Sequence, residues 1–395
     1  MTDAKGSRIL LHFPERGYTE PVMKSVPRFP TVQEMSGSKQ LTRRSFVAGA
    51  ALGSTAILSQ SLRAAFVRTE QTGLWLATRE LQQRRAADYT FVQYHNQTAT
   101  SSLHQRLVEM WNAIRTETGG RVDTQVFPEN RKTPGSDPAA LKMLVSGEIQ
   151  FFTLMGGLLS SVVPVADVQQ VPYSFRSASG AHKAMDGALG AYLRQEMTAK
   201  GIHGFPVGAF DNGMRQIGAA TRPIVAPDDL VGIRMRIPAG QLFDDMFRAF
   251  GAQTVVVNSD SIYGAFKAGR VDAQENPLAL VDLFKIYDVI RYVSMTNHMW
   301  SGFNLLANLS AWQRLPDDIK AVIERNTARY VRLQRQDQEN MNARLRAELE
   351  RRGLVFNDVD PAPFRAKLSG LYATWKKRLG ARCWSLLEAE VGRLD

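Results

Sequence analysis

The stretch from Gly232 to Pro277 leaves the chain few ways to fold. Gly232-Ile-Arg-Met-Arg-Ile-Pro238 alternates strictly, which places Ile233, Met235 and Ile237 on one face of a strand and Arg234 and Arg236 on the other. Pro238-Ala-Gly240 breaks that strand, and Leu242, Phe243, Met246, Phe247 and Phe250 then recur at helical spacing until Gly251. Ala252 to Val257 reads as a buried strand. Asn258 or Ser259 caps a short helix through Ala268, and Val271 to Asn276 runs into a further helix with Pro277 at its first position. Strand, helix, strand and helix in such tight order make a parallel α/β unit. Units of this kind gather their loops at the carboxyl ends of the strands, where open sheets bind ligands.

Arg236 sits at one such end and Asn276 at another. Together they form a clamp suited to a small organic acid, since a guanidinium matches a carboxylate in bidentate geometry and a carboxamide both donates and accepts. Spacing alone also admits, and by itself favours, plainer roles: a solvated or ion-paired surface arginine, and an asparagine that only caps the helix begun by Pro277.

Four blocks in order, Ile233-Arg-Met-Arg-Ile-Pro238, Gly251-Ala252, Ile262-Tyr263 and Val271-Asp-Ala-Gln-Glu-Asn-Pro277, resemble the DctP-type solute-binding proteins of tripartite ATP-independent periplasmic (TRAP) transporters. The likeness runs from about Asp88 to about Leu354, continues more weakly to the C-terminus, and does not cover the first 87 residues. It implies an α/β, two-lobed periplasmic binding protein fold with a hinge and a long C-terminal helix spanning both lobes. It further implies a small carboxylate ligand, no cofactor, and delivery to a sodium-driven TRAP permease. By the same resemblance Arg236, just before the Ile-Pro step, pairs with the carboxylate. Arg215, within Asp211-Asn-Gly-Met-Arg-Gln216, supplies a second contact on closure, and Asn276 orients the ligand by hydrogen bonds. The family's usual glycine in the last block is Ala273 here, a methyl group expected to trim a local turn without removing a binding group.

At 395 residues and 44% hydrophobic content the chain exceeds one core and can fill two. The net charge of +11 is uneven: residues 1–65 hold nine Lys/Arg against four acids, so five of those charges lie there. No basic block with interleaved aromatics marks a nucleic-acid surface, and the surplus suits anionic ligands. Cys383 is the only cysteine, which rules out an internal disulfide and a cysteine-rich metal site. Residues 1 to about 40 lack a sustained period, and Met35 is an alternative initiator. From Met35 a basic front, Arg43-Arg44-Ser45-Phe46, precedes the apolar run Val47–Leu58 and the small-residue tail ending Ala64-Ala65. The run is far shorter than a membrane span of about 20 residues. The pattern matches an export signal and resembles the twin-arginine (Tat) type, read by the Tat export machinery; an ordinary secretory signal or a retained anchor stays open. Processing falls there or near Arg85-Ala-Ala87, and residues 66–87 stay an unassigned linker with amphipathic helical character.

Tyr89–Tyr94 opens the first lobe as a strand, followed by a loop carrying Asn96, which by its likeness to a pocket asparagine of some family members is a weaker ligand contact, and a helix with Leu103, Leu107, Met110, Trp111 and Ile114. His95 and His104 lack a third metal ligand. Arg121–Phe127 and the buried Phe151–Met155 are further strands. Gly135-Ser-Asp137 with Pro138 starts a helix, and Gly156-Gly157 would let backbone approach a ligand or, as two loop glycines more often do, serve only as a turn. Asp211-Asn212-Gly213 marks the crossing between lobes, with Asn212 a weaker contact. Arg215 beyond it meets ligand on closure or, as readily, pins the hinge as an ion pair. Tyr292–Trp300 returns toward the first lobe, and His298 and Trp300 either line the cleft or pack as structural residues. A helix from Pro316 to Arg352 spans on the order of 50 Å.

The expected organisation is 1–65 extension and signal, 66–87 linker, 88–213 with about 302–342 as lobe I, and 214–301 with about 343–395 as lobe II. No Gly-x-Ser-x-Gly, phosphate-loop or His-Glu-x-x-His motif is present, which favours a binder over an enzyme. The reading is a periplasmic receptor for a small organic acid. A ligand sensor for a signalling kinase and an exported enzyme are the alternatives.

Overall fold

The computed structural model describes residues 87–394. The N-terminal extension, the twin-arginine-like signal and all but the last residue of the 66–87 linker lie outside them.

Two sheets organise the chain. The first runs β2-β1-β3-β10-β4, from β1 (Tyr89–His95), β2 (Val122–Phe127), β3 (Phe151–Met155), β4 (Ile202–Phe210) and the returning β10 (Phe303–Asn308). β1 is parallel to β2 and β3, whereas β10 is antiparallel to both its neighbours. The second runs β11-β9-β5-β8-β6-β7, from β5 (Arg215–Ala219), β6 (Arg234–Ile237), β7 (Gln253–Val256), β8 (Ala273–Pro277), β9 (Tyr292–Met295) and β11 (Val355–Asp358). Each sheet is the centre of one lobe, as expected of a two-lobed α/β protein.

The chain crosses between sheets at Asp211–Met214 and returns at Thr296–Gly302. The two crossings pair with each other: Met214 and Trp300 form an antiparallel bridge, the Arg215 amide donates to Met299 O at 2.8 Å, and the Ser301 amide donates to Gly213 O at 3.0 Å. Gln334 of the long helix Asp317–Arg351 closes the same joint. Its Oε1 accepts from the Asp211 amide and its Nε2 donates to Asp211 O, both at 2.8 Å. The helix buries Ile319, Ile323 and Val331 in the first core and Leu345 and Leu349 against Ile286, Ile290 and Val293 in the second. Thirty-five residues at 1.5 Å each give it a length of about 50 Å. Of the two helices that end the chain, Pro361–Leu379 packs on the second lobe's helix Gln241–Ala249 and on Pro164–Gln170 of the first. Ala381–Val391 packs on the first lobe's helices Ala178–Asp186 and Ala188–Thr198.

Three local expectations differ from the structure. β7 is an edge strand with one neighbour, so Val256 is 57% exposed where a buried strand was expected. Val271–Asn276 is not a lead into a helix: from Ala273 it is the fully buried strand β8, antiparallel to β5 and parallel to β6. Pro277 ends that strand in extended conformation, and the helix begins one residue later at Leu278. Ala273 accordingly trims no turn, because its methyl group is core, opposite Met235 and Ala219.

Candidate functional site

β6 ends at Ile237 because Pro238 cannot continue the ladder, so the strand delivers the Arg236 side chain to the rim of the second sheet. Its neighbour on the same face, Arg234, is engaged by Asp272 through Nε and Nη2, at 2.8 and 2.5 Å. Arg236 is different. It is 2% exposed, its Nε donates to Val257 O at 2.8 Å, and no side chain among the described residues accepts from its two terminal nitrogens. Burial without a paired carboxylate lowers its pKa to about 9, partly offset by the field of Glu275. It remains a cation at neutral pH, held where a charge is costly unless an anion meets it.

Arg215 lies close by with the opposite character. It opens β5, and the antiparallel register with β8 sets Glu275 diagonally across from it on the same face. Arg215 Nε donates to Glu275 Oε2 and Nη2 donates to Glu275 Oε1 at 2.7 Å. Nη2 also reaches Glu275 O at 2.9 Å and Asn276 Oδ1 at 3.1 Å, and Nη1 donates to Ser301 Oγ at 2.9 Å. Both ion-pair partners are buried. Burial alone would raise the Glu275 carboxyl, but the Arg215 guanidinium and His298 hold it below the usual range.

These residues share one cavity. Its walls come from the first lobe (Asn96, Asp137, Met155, Leu158, Phe303), the crossings (Asn212, Ser301) and the second lobe (Arg215, Arg236, Pro238, Ala239, Asn258, Ser259, Asn276, Leu280). The structure thus brings together five of the seven residues singled out from the sequence: Asn96, Asn212, Arg215, Arg236 and Asn276. His298 and Trp300 stand behind the wall and do not line this cavity. His298 bonds to Thr296 at 2.8 Å and to Glu275 at 3.3 Å, and Trp300 Nε1 donates to Asp211 Oδ1 at 2.8 Å, bracing the hinge. Gly156-Gly157 serves packing instead of ligand approach. A Cβ at Gly157 would lie 2.9 Å from the Phe243 ring, which crosses from the other lobe to lie beneath Arg215. His95 and His104 hydrogen-bond to each other at 2.9 Å.

The sequence reading missed Asp137, Asn258, Ser259, Ser301 and the ion-pair partner Glu275. Asp137 was read only as part of a helix start. It is buried, accepts from Asn130 at 2.7 Å and Asn96 at 2.8 Å, and has its pKa raised by burial against those hydrogen bonds. Asn258 and Ser259 are alternative caps by sequence, yet neither makes a side-chain capping bond and both line the cavity.

Comparison with known proteins bears on the family and the fold. Residues 94–378 match the family model described as DctP, bacterial extracellular solute-binding protein, family 7. An uncharacterised protein of Sinorhizobium fredii is 34% identical over 209 residues, which is 53% of this chain and only 38% of that protein. A solute-binding protein of Roseobacter denitrificans is 28% identical over 281 residues, 71% of this chain and 85% of that one. The crystal structure of this Roseobacter protein with bound L-galactonate matches with a TM-score of 0.70 at 25% identity, covering 78% of this chain and 99% of that one. A second TRAP periplasmic solute-binding protein of the same species, with bound β-D-glucuronate, gives a TM-score of 0.73 at 23% identity over 78% and 100% of the two chains.

Proposed function

Because the chain belongs to the DctP family of bacterial extracellular solute-binding proteins, family 7, we propose that its interlobe cavity captures a small hydroxylated carboxylate in the periplasm and hands it to the membrane permease of a TRAP transporter. One observation carries the reading: Arg236 is a buried guanidinium lining the cavity, and its two terminal nitrogens have no acceptor among the described residues. A carboxylate there completes a bidentate pair. Asn276, Asn258 and Ser259 from the second lobe, with Asn96 and Asp137 from the first, supply donors and acceptors for hydroxyl groups. The L-galactonate held by the Roseobacter solute-binding protein supports a hydroxylated acid.

Arg215 acts one step back in this scheme. Neutralised by Glu275, it shapes the cavity and fixes Asn276, whose Oδ1 it engages. Closure turns the first lobe toward the second about the paired crossings, at 213–214 and 301–302. Ligand contacts from both lobes favour the closed arrangement, and only that difference in affinity drives the motion. Export through the twin-arginine route completes the proposal, resting on Arg43-Arg44-Ser45-Phe46.

A thermal-shift screen of aldonates, uronates, C4-dicarboxylates and their neutral alcohols or amides tests it. A ligand that binds only the folded state raises the midpoint. The expected result is a rise with hydroxylated acids and none with matched neutral compounds; a rise with the neutral compounds alone would refute the carboxylate assignment.

A further inference from the structure

A second cavity of about 170 Å³ adjoins the first along the long helix. The two share Asn212 and Leu280 as common walls. Their geometry follows from elementary spacing. Asn96 and Gln97 are consecutive beyond the end of β1, and Asn96 faces the first cavity while Gln97 faces the second. On the opposite side Asn276 faces the first, and Ala279 and Leu283, one helical turn apart, face the second.

The partition is thin. Gln97 Nε2 donates to Asn212 Oδ1 at 3.2 Å, and Leu280 lines both cavities. Gln97 Oε1 accepts no hydrogen bond among the described residues, and neither does Oε1 of Gln338, which faces the same space. Among the described residues no Lys, Arg or His lines this cavity. Its one carboxylate, Asp282, already accepts from Arg352 at 2.8 Å. Free carbonyl acceptors on one side and Ala279, Leu283 and Met341 on the other match the hydroxyl edge and the C–H face of a sugar ring. A second carboxylate would find no cation there.

Resting on the carboxylate reading of the first cavity, we propose that the second is a subsite for the neutral, hydroxylated end of a longer acid, so that the receptor accepts a sugar acid bearing one glycosyl unit.

Isothermal titration of the protein with D-glucuronate, D-gluconate, lactobionate and cellobionate decides the matter. At least one disaccharide acid is expected to bind as tightly as the better monosaccharide acid, or tighter. Ala279→Phe, which fills the second cavity, is expected to weaken that disaccharide acid 10-fold or more while changing the monosaccharide acid less than 2-fold. Thr100→Tyr narrows the same space from an exposed loop position and is expected to act in the same direction, so the result does not depend on how one helix tolerates phenylalanine. Monosaccharide acids that bind while both disaccharide acids bind 10-fold or more weaker would overturn the subsite and leave the first cavity's assignment standing. Equal losses for both sizes of ligand in both variants would overturn it too. Binding by no acid at all would remove the carboxylate reading and the subsite with it.

Discussion

Arg215 and Glu275 meet as a buried, two-pronged ion pair across adjoining strands, so the arginine nearest the hinge is neutralised within the protein itself. Arg236 has no such partner among the described residues. The contrast separates two arginines that the resemblance places at one site, and it yields opposite expectations for their replacement.

Arg236→Met should leave the fold intact and raise the melting temperature of the ligand-free protein by a few degrees, since it removes a buried charge that no carboxylate among the described residues pairs with directly. Acid binding should fall about 100-fold or more, because two charge-assisted hydrogen bonds are lost. Differential scanning calorimetry without ligand, paired with titration calorimetry, reads both. A destabilised ligand-free protein would show that Arg236 is a structural cation.

Glu275→Gln should do the reverse. It leaves Arg215 buried and uncompensated, at a cost of about 3–5 kcal/mol in a urea melt. Replacing both residues with apolar side chains of similar volume should recover much of that loss. Failure of the double replacement to recover any stability would assign the pair a role beyond charge balance.

Acid should loosen the fold through its buried histidines before its carboxylates protonate. Burial, then the neighbouring His104, push the His95 pKa down to about 3, and burial lowers His203 to about 4. A folded pKa below the unfolded value of about 6.5 means that the native state binds fewer protons. The stability tied to the neutral ring is complete above pH 6.5 and is lost as pH falls toward the folded value. Melts between pH 7 and 4 should therefore decline, and His95→Gln should flatten part of that decline. A pH profile unchanged by the substitution would place the sensitivity elsewhere.

Gly302→Ala tests the hinge. A Cβ at this position would lie 1.9 Å from the Trp300 ring, which Asp211 holds by its indole nitrogen. The ring must shift, at a cost of about 1–3 kcal/mol. Tryptophan fluorescence and a urea melt should change together; an unaltered melt would mean that the crossing has slack.

The elements that position Arg236 were legible because strict alternation and an Ile-Pro step fix both its face and the strand's end. Glu275 was not, since its partner lies 60 residues away and only the antiparallel register of β5 and β8 brings them together. Asn258, Ser259 and Asp137 illustrate a different limit: short polar residues near helix starts serve equally well as caps or as ligand contacts, and local sequence cannot separate the two uses. The edge position of β7 was likewise invisible, because an apolar run does not reveal how many neighbours its strand will have. His298 and Trp300 admit both a cleft and a structural role from their place in the return segment, and only the fold decides: the first bonds to Glu275 from behind the wall and the second braces Asp211.

The helix Asp317–Arg351 is anchored in one core at Ile319 and Ile323 and in the other at Leu345 and Leu349, with Gln334 clasping the crossing between them. Its two ends therefore cannot turn independently. Any swing of one lobe against the other has to be absorbed as curvature of a single hydrogen-bonded rod, which bends gently at little expense and sharply at a great deal. Such a rod behaves as a leaf spring. It gives the jaw a preferred resting angle and a restoring force, so the strength with which a cargo is gripped is set partly by residues that never touch it.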